Sequence, residues 1–105
     1  MTEAGDRPGD WIDNLIHAPA RLQIVMQLSV VDRADATFLL NRTGLTWGNL
    51  STHISKLEDA GYVAVEKSFR GRKPRTMIRL TQKGRKAFQE YRSKMQRALS
   101  NPTGA

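Results

Sequence analysis

The sequence predicts a mainly helical α+β domain in which a helix-turn-helix is followed by a two-stranded β-hairpin, with a helix flanking each end. Three observations carry this prediction. Two apolar-periodic segments meet at a tight glycine turn at Gly44. The apolar period changes from helical to alternating after Gly61, and it becomes helical again after Thr81. With 105 residues, the chain has room for one hydrophobic core and little room for a second. No internal repeat or low-complexity segment divides it.

Residues 1–9 are polar and contain Gly and Pro, so a frayed tail is expected there. Asp10 is placed to cap a short helix with Trp11, Ile12, Leu15 and Ile16 on one face. Pro19 suits the first position of a second helix. The broad apolar stripe of Leu22, Ile24, Val25, Leu28 and Val31 makes this the central buried helix. Asp32 to Asp35 form a polar break. Phe38, Leu39 and Leu40 begin a short helix that ends near Gly44, a residue fit for a left-handed C-cap. Thr46 can cap the helix that follows, where Leu50, Ile54 and Leu57 line one face and Gly61 marks the end.

Val63, Val65 and Phe69 alternate with Ala64, Glu66 and Ser68, which reads as a strand, and Ile78 and Leu80 mark the returning strand. Arg70 to Arg75 form the loop between them, with Gly71 and Pro74 as turn residues. Thr81 can cap a last helix in which Phe88, Tyr91, Met95 and Leu99 recur at helical spacing. The folded domain is thus expected over residues 10–99, with a second loose tail over 100–105.

Composition narrows the function. There is no cysteine, so disulfides and thiolate metal sites are excluded. No apolar run is long enough to span a bilayer and the N-terminus lacks a signal-peptide pattern, so a cytoplasmic protein with no membrane partner is expected. No nucleophile lies beside a base at recognisable spacing, and there is no phosphate loop and no metal cluster; neither an enzyme nor a cofactor is expected. The net charge of +7 is unevenly distributed. Residues 1–66 hold five Lys or Arg against nine Asp or Glu, and residues 67–105 hold twelve against Glu90 alone. Cations segregated to the hairpin and last helix imply a polyanionic partner.

Two segments carry the chemistry. On the helix from Trp47 to Ala60, the face opposite Leu50, Ile54 and Leu57 presents Gly48, Asn49, Thr52, Ser55, Lys56 and Asp59. Asn49 and Thr52 can hydrogen-bond base edges, and Asn suits adenine. Gly48 lets backbone approach a phosphate or groove wall, the capped N-terminus offers free N–H groups, and Lys56 would meet phosphate. A plain solvated helix face is the alternative; the glycine turn before it and the basic hairpin after it favour DNA. The hairpin tip RGRKPR packs Arg70, Arg72, Lys73 and Arg75 around Gly71 and Pro74. Charge on a solvated edge strand is the alternative there, but arginines suit phosphate forks and narrow minor grooves.

Several residues read less sharply. His53, next to Ser51 on the helix flank, could donate to phosphate, but no second ligand lies at metal spacing. His17, before Pro19, is read as a packing or capping residue. Trp47 fits either the core or an exposed position against DNA. Trp11 is read as an anchor onto the core or another subunit.

The segment LSTHISKLEDAGYV resembles the recognition helix of bacterial and archaeal winged-helix regulators of the MarR and ArsR type. The resemblance runs from Gly44 to Thr81, where the pattern GLTxGNLSxHLxKLExAGYVxVEKxFxGRxPRTxxRLT of small one-domain winged-helix DNA-binding proteins stands almost unbroken, with Ile54 for Leu. KGRKAFQEYR is similar to the last helix of that group. The resemblance implies a winged helix-turn-helix fold and a homodimeric repressor or activator that binds double-stranded DNA. By position, Thr46, Asn49, Ser51, Thr52, His53 and Lys56 would face the major groove or its phosphates. Arg70, Gly71, Arg72, Lys73 and Arg75 would form the wing. The absence of cysteine argues against the metal-sensing branch, and any small-molecule effector would sit at the dimer interface. Two other functions are open: a winged-helix protein-interaction adaptor, and a nonspecific nucleic-acid or nucleoid binder. The polar, uncharged outer helix face distinguishes a sequence reader from a purely electrostatic binder, which would carry more Lys and Arg there.

The two apolar stripes at the chain ends bear on assembly. Trp11, Ile12, Leu15 and Ile16, with Phe88, Tyr91, Met95 and Leu99, offer more apolar surface than one small core requires. A two-fold dimer would bury both stripes and set two recognition helices side by side. The competing arrangement packs both stripes on the same subunit.

Overall fold

The computed structural model describes residues 11–101. The elements run α1 (Pro19–Ser29), β1 (Ala34–Asp35), α2 (Ala36–Thr43), α3 (Trp47–Asp59), β2 (Val63–Arg70), β3 (Lys73–Leu80) and α4 (Gln82–Ser100). The expected N-terminal tail and the Asp10 cap lie outside the described residues, as does the C-terminal tail beyond Asn101.

Local chemistry sets the element ends. Pro19 opens α1, its ring holding φ at a helical value where no N–H is needed. Asp35 caps α2, accepting the N–H of Thr37 at 2.8 Å. Gly44 ends α2 at φ 71°, a conformation that costs a residue with a Cβ. Thr46 then caps α3 by accepting the N–H of Asn49 at 3.1 Å. At the other end of α3, Gly61 N–H reaches the Glu58 carbonyl and Tyr62 N–H the Leu57 carbonyl, each at 2.9 Å. This is the paired bonding of a Schellman motif.

The sheet is antiparallel, in the order β1-β3-β2. Ala34 faces Ile78 and Asp35 faces Met77. The residues read as a polar break therefore include a two-residue strand, too short for alternation to reveal. The β2–β3 hairpin pairs Val63 with Leu80 through Arg70 with Lys73, so its loop is only Gly71 and Arg72. Gly71 has φ 65° and no non-glycine among the described residues has positive φ. That is the pattern of a type II′ turn. Pro74, expected in the loop, instead pairs with Phe69 inside the strand. In a two-residue hairpin Arg70 and Lys73 form the hydrogen-bonded pair next to the turn, so the adjacent Phe69–Pro74 pair exchanges no ladder bonds and loses nothing to the missing N–H.

One core unites these elements. Ile16, Ile24, Leu28, Leu39, Leu50, Leu57 and Ile78 are fully buried within it. The first helix expected at residues 11–16 is not formed, and the segment runs as consecutive turns. The Asp13 carboxylate accepts the N–H of Leu15 at 2.9 Å and of Ile16 at 3.2 Å, a local competition that favours turn over helix. Its second oxygen accepts the Tyr62 hydroxyl at 2.5 Å. At the far end, Thr81 caps α4 by accepting the Gly84 N–H at 3.0 Å. A Cβ on Gly84 would stand 2.1 Å from the Tyr62 carbonyl oxygen. Glycine there lets the first turn of α4 press against the backbone that links α3 to β2.

Candidate nucleic-acid interface

The register of α3 is fixed from inside. Leu50, Ile54 and Leu57 are buried, so at 3.6 residues per turn the opposite face must look outward. Gly48, Asn49, Thr52, Ser55 and Lys56 are all exposed, as are Thr46 and Ser51. The Thr46 side-chain oxygen is engaged in the cap. Thr52 donates to the Gly48 carbonyl at 2.9 Å, which leaves its oxygen free to accept. The Asn49 amide makes no side-chain hydrogen bond among the described residues, so both its donor and its acceptor are available. Trp47 is 58% exposed. That places it outside the core, at the first turn of the helix.

His53 has a partner within its own subunit. It is half-buried on the flank facing α1, with Nδ1 3.3 Å from Arg21 Nη1. Burial holds its pKa below the usual histidine value, and the positive charges of Arg21 and then Lys56 add to this. A neutral ring accepting from Arg21 ties α3 to α1. Arg21 also donates from Nε to the Leu15 carbonyl at 2.6 Å.

The hairpin brings together three of the four cations expected at its tip. Arg70 and Lys73 face each other beside the turn, and exposed Arg72 is in it. Arg75 is drawn away toward the base of the wing, where its Nε lies 3.5 Å from Asp35 Oδ2 as an ion pair without hydrogen-bond geometry. Lys67, a β2 residue that no sequence motif marks out, donates to Thr76 Oγ1 at 3.0 Å. A groove of about 510 Å³ runs between α3 and the hairpin, with Trp47, Ser51 and Ser55 on one wall and Lys67 and Thr76 on the other. Phe69, which strand alternation places with the inward-facing Val63 and Val65, is 72% exposed. Helix, groove and cationic tip form one continuous surface, with hydrogen-bonding groups at one end and charge at the other.

A model of the winged helix DNA-binding domain family matches residues 20–99. The chain belongs to that family. The matched span runs from α1 into α4, so α2 and α3 form the helix-turn-helix and the β2–β3 hairpin is the wing of a winged helix. The chain is 34% identical over 77 residues to an uncharacterised protein of Methanocaldococcus jannaschii, an alignment covering 73% of this chain and 84% of the relative. Among solved structures it is similar to a transcriptional regulator homologue of Pyrococcus horikoshii, with TM-score 0.79, 28% identity and coverage of 89% of this chain and 91% of that one. It also shares its fold with NadR, solved in complex with 4-hydroxyphenylacetate, with TM-score 0.68, 21% identity and coverage of 87% and 66%.

The residues expected at a dimer interface divide into three groups. Ile12, Ile16, Phe88 and Tyr91 are buried in the core of their own subunit. Tyr91 is held there by a hydrogen bond of 2.9 Å between its hydroxyl and His17 Nδ1, and burial raises its pKa. Leu15 and Met95 are half-buried against that core. Trp11 and Leu99 stand exposed, Leu99 at 76%. No helix among the described residues is long and apolar enough to cross a membrane.

Proposed function

We propose that the protein is a sequence-specific, homodimeric transcription regulator of the MarR-like kind, acting on double-stranded DNA in the cytoplasm. The recognition helix enters the major groove, where Asn49 and Thr52 read base edges and Lys56 contacts phosphate. The wing tip, with Arg70, Arg72 and Lys73, reaches the adjacent minor groove or backbone. The observation that carries this reading is the outer face of α3, which is polar and largely uncharged and has a side-chain amide without a hydrogen-bond partner among the described residues. A surface that only needed to attract polyanions would be filled with Lys and Arg. The dimer uses the outer half of α4, around Met95 and Leu99, and a small-molecule effector would fit between the two subunits.

Selection from random duplexes tests the reading directly. A palindrome with half-sites roughly one helical turn apart is expected. Affinity for the selected duplex should fall steeply with salt, with a log–log slope of about −7 if each subunit neutralises about four phosphates. Enrichment of no sequence, combined with a steep slope, would instead identify a nonspecific nucleic-acid binder. Absence of any duplex binding would leave the winged helix as a protein-interaction adaptor.

A further inference from the structure

The apolar alternation of β2 does not stop where the core stops. Val63 and Val65 point inward and pair with Leu80 and Ile78. One step further out on the same face come Lys67 and Thr76, a polar pair joined by its own hydrogen bond. The core ends there. Yet the next pair on that face is apolar again: Phe69 opposite Pro74. None of the described residues covers it: Phe69 is 72% exposed and Pro74 is also exposed.

A strand needs no phenyl ring at this point for its own stability. Pairing, turn and register are already set by Gly71 and the ladder, and a threonine or valine would serve the backbone as well. The pair is also stiff. Proline fixes its own φ, and the two-residue turn lies one pair away. Arg70 and Lys73 form the next pair along the ribbon, on its opposite face, and Arg72 lies in the turn beyond them. The Pro74 side of the ribbon opens onto a hollow of about 270 Å³ shared with Trp47 of the recognition helix. A small, rigid apolar projection with cations beside it at the tip fits one kind of surface. The cations require phosphates, and the ring requires an apolar slot between them, which in a duplex is a gap between base pairs approached from the minor groove.

We propose that the wing deforms the DNA it grips, with Phe69, backed by Pro74, entering the minor groove as a wedge that unstacks a base step and kinks the duplex. The inference rests on the DNA-binding reading above and adds an activity to it. Bending brings flanking phosphates toward the cationic tip, and it makes the protein prefer flexible pyrimidine–purine steps at a position where no side chain reads a base.

The test uses the full chain and a selected duplex labelled at both ends for energy transfer, with 2-aminopurine placed at each step in turn. Wild-type protein should bring the ends closer and raise 2-aminopurine fluorescence at one step per half-site. Phe69→Ala should bind the same duplex with no more than about a tenfold loss while both signals disappear. Phe69→Leu, which keeps an apolar wedge, should retain most of both. Because Phe69 lies outside the core, far-UV circular dichroism should be the same for all three. A bound duplex that stays straight and stacked overturns the wedge and leaves the DNA reading standing, as does an equal bend with Phe69→Ala. Failure to bind any duplex sinks both.

Discussion

The two ends of the domain start from the same kind of sequence and reach different outcomes. Residues 11–16 and the face of α4 each carry four large apolar side chains at helical spacing. In the first segment the spacing produces no helix. Asp13 captures two backbone N–H groups and the Tyr62 hydroxyl, and Ile12 and Ile16 turn into the core. In α4 the helix forms, and its stripe runs from covered to bare. Phe88 and Tyr91 are buried, Met95 is half-buried and Leu99 is open. Periodicity reports that a face is apolar. Whether the same subunit or another molecule covers it depends on how far the element extends past its own core.

The sharpest way to break this contrast is at Ile16. Ile16→Ala should cost about 2–5 kcal/mol in urea unfolding, because it empties a fully enclosed site. A loss below one kcal/mol, matched by a drop in self-association, would mean the N-terminal stripe belongs to an interface after all. Gly84→Ala comes next, at about 1–3 kcal/mol, since the added methyl must displace backbone; an unchanged midpoint would show that α4 is not pressed on Tyr62. Leu99→Asp lies at the opposite extreme. Sedimentation should shift from dimer to monomer while the far-UV spectrum stays constant. A monomeric wild type at micromolar concentration removes the interface assigned to the bare half of α4.

The smallest effect is on pH. Burial, then the hydrogen bond and charge of Asp13 and finally the charge of Glu90 push the Tyr62 hydroxyl up to about 12 from 10. A pKa raised by folding contributes stability in full below the unfolded value of 10, and that stability drains away as pH climbs from 10 toward 12. The wild type should therefore lose stability relative to Tyr62→Phe across that window. Parallel curves for the two proteins would show that the Asp13–Tyr62 bond contributes nothing measurable.

The interior and the turns were legible in the sequence for physical reasons. Gly44, Thr46, Gly61 and Thr81 announce helix ends because few residue types can do that chemistry. The inner face of α3 follows from Leu50, Ile54 and Leu57 alone. What escaped the sequence depended on contacts between distant residues. A two-residue strand at Ala34 has no period to detect. The pairing of Arg75 with Asp35 joins positions forty residues apart, and the capture of His53 by Arg21 joins positions in different helices. Pro74 invited a turn because its missing N–H is a liability in most strands, and only the two-residue register makes it harmless.

Asp35 combines several tasks in one side chain. It caps α2, the helix before the turn into α3, its backbone joins the sheet opposite Met77, and its carboxylate holds Arg75 at the root of the wing. One side chain with no proposed contact to DNA thus joins the start of α2 to the root of the wing. A genetic screen for altered regulation should return substitutions at position 35 that leave every base-reading residue intact and change operator spacing preference instead. Designers moving this wing onto another scaffold would have to carry that aspartate with it.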